Sequence, residues 1–168
     1  MLKIQKKRDY YFLISCYHSL SNAIKDKSDI EIRLKDEKKY IIELDDKNRL
    51  IKCIEEKDIA SIEIKNKDNL QKAIYFLNLD LNNINSNSFD IYNNKEIIIL
   101  EYYKGKIYYK KGSIIDVNGS NFEFKHNLAA EEESDGSPII LSENSSVIGM
   151  QKRTSFGTFI SELLKELI

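Results

Sequence analysis

The chain has 168 residues, 42% of them hydrophobic, with 26 Lys+Arg against 27 Asp+Glu and a net charge of −1. That apolar fraction supports a real core and excludes global disorder, and the balanced charge gives no electrostatic case for nucleic acid or an anionic membrane surface. No stretch approaches the roughly 18 apolar residues of a membrane span, and the run from Tyr10 to Cys16 is too short and too polar-flanked for a signal peptide.

In chain order, the first β-type run is Tyr11 to Cys16. Ile30, Ile32 and Leu34 then alternate with polar residues, as do Tyr40, Ile42 and Leu44, and later Ala60, Ile62 and Ile64. A period of two predicts half-buried antiparallel strands. A helix over Asn69 to Leu79 is a weaker expectation. From Asn82 to Asn94 the chain turns Asn- and Ser-rich, which predicts a joint at 83–94 between an N-terminal half, 1–82, and a C-terminal half, 95–168.

The second half predicts strands at Lys95 to Tyr103 and Lys106 to Tyr109, across Lys104-Gly105. Asn118-Gly119, between Ile114-Ile115 and Phe122 to Phe124, is a type I′ hairpin signal. Ile139 to Leu141 and Val147 to Met150 give two more strands. Ser161 to Ile168 carries leucines at helical spacing behind a serine cap, so a short terminal helix is expected. All six glycines fall in the second half. Many short strands with one terminal helix predict an all-β barrel or sandwich. Cys16 and Cys53 are the only cysteines. Without an export signal they are expected as free thiols of a cytoplasmic protein, Cys16 as a small buried hydrophobe.

The chemistry-bearing pattern is Ser134-Asp135-Gly136-Ser137-Pro138. It resembles the Gly-x-Ser-Gly-Gly/Ser-Pro nucleophile loop of trypsin-like, chymotrypsin-fold (PA clan) serine peptidases, with Asp135 at the nucleophile and Glu133 at the oxyanion-loop glycine. Other segments resemble the family in the same order. Phe12 to Leu20 resembles the segment delivering the catalytic histidine, here His18. Lys57-Asp58-Ile59-Ala60 resembles the one carrying the orienting aspartate, here Asp58. Ile97 to Gly105 resembles the family's hydrophobic strand and following turn, with Tyr103 for the expected proline. Phe156 to Ile160 resembles the last barrel strand.

The resemblance implies two antiparallel β-barrels of chymotrypsin-like type with a cleft between them and a short C-terminal helix. It also implies the division of labour of a serine peptidase: His18 as base, Asp58 fixing its tautomer, and position 135 as nucleophile. An aspartate at 135 is already ionised and a poor acyl acceptor, and Glu133 places negative charge near the developing oxyanion. Losing the nucleophile of such an enzyme costs about 10⁶ in turnover. The expectation is therefore a pseudoprotease that binds a protein or peptide in the former substrate cleft, without nucleic acid, membrane or cofactor.

Two alternatives stand beside it: an active endopeptidase using Ser134 through a rearranged loop freed by Gly136, and a non-enzymatic β-rich interaction module. Asp58 and Asp135 around His18 would favour a protonated imidazole. A metal held by His18, Asp58 and Asp135 lacks a matching spacing signature, so none is expected. Ala129, where the family often sets pocket specificity, supplies no acid of the kind that selects Lys or Arg. His126 has no motif around it and is expected at the surface.

Overall fold

The computed structural model describes residues 1–5, 9–45, 47–80, 82, 88–103, 105–129 and 134–167. They form two compact units, Met1–Leu77 and Asn78–Ile168. The division falls before the Asn-rich stretch, whose residues 83–87 lie outside the described residues. Phe89 and Tyr92, inside the expected joint, are buried in the second unit's core.

The first unit starts with β1 (Leu2–Gln5) and β2 (Asp9–Ser15), paired antiparallel with Leu2 opposite Phe12. A helix follows, α1 (Tyr17–Asp26), where the resemblance implied only a strand and turn. Leu20, Ala23 and Ile24, at helical spacing, pack against the core. Lys27 ends the helix in the left-handed region at φ 53°, its N–H donating to the Ala23 carbonyl. Next come β3 (Ile30–Arg33), β4 (Lys39–Ile42), β5 (Ile51–Ile54), β6 (Ile59–Glu63) and the two-residue β7 (Leu77–Asn78). Among the strands of four or more residues, β1 and β5 are the ones the period-two pattern does not mark.

The strand order is β5-β6-β2-β1-β7, with β3 and β4 forming a separate two-stranded sheet. Among the described residues this unit is thus an open sheet with a hairpin packed on it, not the single closed barrel expected. Ile42 and Leu44 from the hairpin side meet Ile62, Ile64 and Leu70 in one buried cluster. The helix expected over Asn69 to Leu79 is replaced by single 3₁₀ turns at Asn66–Asp68 and Leu70–Lys72. Asn69 between them has φ 58°, a left-handed conformation that no α-helix continues through.

The second unit is a closed barrel of β8 (Glu96–Tyr103), β9 (Lys106–Asn118), β10 (Glu123–His126), β11 (Pro138–Leu141), β12 (Val147–Arg153) and β13 (Phe156–Phe159), in the order β10-β13-β12-β11-β8-β9. Alternation fills it: Ile97, Ile99, Ile114, Phe124, Ile139, Leu141, Ile148 and Phe159 point inward and are buried. β9 runs nine residues past Tyr109, through Gly112, and pairs with β8 over its first part and β10 over its last.

The β9–β10 hairpin exists, with Asn118 opposite Glu123, but its turn is not the two-residue type I′ predicted. Gly119–Asn121 forms a 3₁₀ turn, the Asn118 side-chain oxygen accepts from the Asn121 N–H, and Phe122 takes the left-handed conformation at φ 55°. The chain closes with α2 (Ser161–Leu167). Ser161 is its first helical residue, and its hydroxyl is buried with no hydrogen-bond partner among the described residues, so it is not the cap expected.

Candidate functional site

Antiparallel pairing of β2 with β6 sets Ser15 opposite Ala60, so the residues just past the end of β2 meet those just before β6. Cys16, extended at ψ 137°, turns the chain into α1 and places His18 in its first turn. On the other side Asp58 takes φ 53°, ψ 45° after the turn Glu55–Lys57. Aspartate tolerates that left-handed geometry better than most residues, and it re-aims the chain into β6. The Tyr17 N–H donates to the Asp58 carbonyl at 3.1 Å, tying the two segments together.

The Asp58 carboxylate is held at both oxygens. Oδ1 accepts from the His18 backbone N–H at 2.8 Å, and Oδ2 lies 2.7 Å from His18 Nδ1. An ionised carboxylate only accepts, so Nδ1 carries the hydrogen and Nε2 is the nitrogen available for proton exchange. The His18 side chain is 58% exposed and that of Asp58 27%, so the pair opens to solvent. Cys16 is fully buried beside it, and donor atoms of Cys16, His18 and Asp58 all lie within 4.8 Å of one another. The sequence signal for the nearness of Cys16 to His18 is their Cys-x-His spacing, which the expectation of Cys16 as a small buried hydrophobe does not use.

Residues 134 to 138 belong to the second unit, on the turn entering β11. Ser134 is 3% exposed, whereas Asp135 is exposed. Gly136 has φ 86°, a region glycine enters without strain, and its N–H donates to the Gln151 carbonyl at 2.8 Å. The Ser137 N–H closes the turn on the Ser134 carbonyl, and the Gln151 N–H donates to Ser137. Glu133, the expected oxyanion-loop residue, lies outside the described residues, as do Glu131 and Glu132.

His126 is corrected: it is 1% exposed, not on the surface. A register shift between Lys125 and His126 in the β9–β10 pairing brings it inward. Its Nε2 is 3.0 Å from Gln151 Oε1, and its Nδ1 accepts from the Leu128 N–H at 3.3 Å. Burial lowers its proton affinity, partly offset by these bonds and by the charge of Glu101. Glu101 is 1% exposed, with Lys110 Nζ at 2.9 Å, and Lys110 also donates to the Ala129 carbonyl.

No protein-family model and no curated protein matches the chain. Solved structures do. Catalytically active tobacco etch virus protease complexed with product matches at TM-score 0.55 and 9% identity, over 98% of this chain and 75% of that one. Catalytically inactive tobacco etch virus protease complexed with substrate gives TM-score 0.55 at 10% identity, over 95% and 75%. Tobacco vein mottling virus protease gives 0.50 at 10%, over 94% and 72%. The chain therefore shares the chymotrypsin-like fold of these viral proteases. Among the described residues, no helix is long and apolar enough to cross a membrane.

Proposed function

We propose that this chain is a chymotrypsin-fold peptidase homologue that has lost hydrolysis and binds a protein or peptide at its former substrate-binding surface. The observation that carries the reading is Asp135 on the turn into β11. It occupies the position where the resemblance places the nucleophile, and it is the exposed side chain there, while Ser134 is buried. Neither a hydroxyl nor a thiol stands at that position, and a carboxylate has no proton for His18 to remove. The hydrogen-bonded His18–Asp58 pair supports peptidase ancestry, since it is what a base and its orienting acid require. Free thiols at Cys16 and Cys53 support the cytoplasmic assignment that belongs to this reading.

The experiment is labelling with a fluorophosphonate alongside turnover of a degenerate peptide library. The wild-type chain stays unlabelled and cleaves nothing, yet retains members of the library on an affinity column. The double variant Asp135→Ser, Glu133→Gly gains labelling and turnover. Stoichiometric modification of Ser134 in the wild type overturns the proposal in favour of an active endopeptidase. A chain that neither cleaves nor retains any peptide overturns the binding half.

A further inference from the structure

We infer that Cys16, His18 and Asp58 form a site for one divalent transition-metal ion of the zinc class. The inference stands on the first unit alone and does not depend on the role of position 135. It adds Cys16 to a pair otherwise read as base and orienting acid.

A thiol sulfur, an imidazole nitrogen and a carboxylate oxygen lie within 4.8 Å of one another. Zinc takes these three donor types, at about 2.3 Å for sulfur and about 2.0–2.2 Å for nitrogen and oxygen. Two ligands of such a tetrahedral ion stand about 3.3–3.7 Å apart, so the sulfur needs to approach by about 1–1.5 Å at most, while His18 Nδ1 and Asp58 Oδ2, now 2.7 Å apart, open by about 0.6 Å to admit the ion. The sulfur sets the selectivity: a thiolate disfavours magnesium and calcium and favours zinc, cobalt and their neighbours.

The surroundings suit an ion. Asp58 Oδ1 is anchored by the His18 backbone N–H at 2.8 Å, an outer bond that fixes the orientation of the carboxylate and leaves Oδ2 facing the imidazole. Sulfur arrives from the buried side, because Cys16 is fully buried, whereas the His18 side chain is 58% exposed. An entering ion thus meets three protein ligands with one face open to water, which supplies the fourth ligand. The cluster is local to the β2–α1 junction and the β6 start, where β-sheet pairing fixes it.

Proton balance follows from the hydrogen bond. The ion takes the place of the hydrogen between Nδ1 and Oδ2, and that hydrogen moves to Nε2. The Cys16 thiol ionises as sulfur binds, so one proton is released to solvent per ion bound. His18 with its Nε2 protonated is then unable to accept a proton there. Metal occupancy and base function at His18 exclude each other.

The test is titration of the chelator-treated full chain with Co²⁺, followed by its thiolate charge-transfer absorption, then displacement by Zn²⁺. The expected result is one Co²⁺ per chain with the thiolate band, displaced by one Zn²⁺ but not by Mg²⁺. Cys16→Ser abolishes the band, and His18→Gln weakens affinity by about 100-fold or more, beyond what loss of an outer partner costs. Cys53→Ser leaves band and affinity unchanged. Circular dichroism of each apo variant checks that it is folded. Should Cys16→Ser not fold, the exposed His18→Gln decides alone. Absence of a saturable band in the wild type, a band that follows Cys53, or wild-type affinity in a folded Cys16→Ser or in His18→Gln overturns the inference.

Discussion

Arg49 and Asp68 make the most demanding contact in the first unit. The guanidinium meets the carboxylate at both oxygens, at 2.7 and 2.8 Å, with side-chain exposures of 0% and 2%. Arg49 also donates to the carbonyls of Glu43 and Glu63, and Asp68 accepts from the Lys65 N–H. Every partner is needed, since a lone buried charge is costly. Asp68→Ala therefore destabilises the protein by about 3–5 kcal/mol in a urea titration, because the arginine stays buried without its counter-charge. Tyr92 and Asp80 repeat the logic on a smaller scale, with the phenol donating to the carboxylate at 2.7 Å and burial pushing the phenol's pKa upward. Tyr92→Phe costs about 1–3 kcal/mol by the same measurement. Neither pair was legible in the sequence. In a chain that is 32% charged, nothing marks Arg49 as the arginine that is buried. His18 and Asp58 were legible because each sits in a short apolar context resembling known segments, and the structure brings them into contact.

Elements were read where alternation was clean and missed where a special backbone residue decides. Ile97 and Ile99 announce β8, and Ile139 to Leu141 announce β11, because apolar residues fill the barrel interior. The helix α1 was hidden: Cys16 makes no side-chain capping bond, and the stop at Lys27 uses a left-handed lysine in place of glycine. β5 was hidden because Ile51 to Ile54 has graded burial without alternation. Glycine matters at two barrel positions for different reasons. A Cβ on Gly157 would lie 2.4 Å from the Phe124 ring and 2.7 Å from Ile139, so Gly157→Ala overpacks the barrel and costs about 1–3 kcal/mol. Gly136, at φ 86°, turns the chain into β11, and Gly136→Ala costs about 1–2 kcal/mol through backbone strain. Thermal melting checks both. An unchanged melting temperature in either variant contradicts the geometry given for it.

At the scale of the molecule, the β-rich class and the terminal helix were readable, whereas closure of a barrel in one unit and not in the other, among the described residues, was not. Closure depends on β9 continuing beyond Tyr109 to reach β10, a length set by tertiary pairing and not by its own pattern. The same barrel carries a pH dependence for the whole fold. His126, buried against Gln151, has its proton affinity lowered from the ordinary value of 6.5. The unfolded chain regains that ordinary value, so below it the unfolded state binds a proton that the folded state resists. Above pH 6.5 both states are neutral at this residue and its contribution is complete. As pH falls below 6.5, stability is lost, by up to about 1.4 kcal/mol per pH unit for one proton, until the folded state also takes it up. His126→Gln removes this dependence while offering Gln151 an amide partner. Urea midpoints of wild type and variant should run parallel from pH 7 to 8 and diverge from pH 6.5 downward, the wild type falling faster. Parallel decline across the acid range would mean that the buried imidazole accepts its proton as readily as one in water, against the burial that defines its place in the barrel.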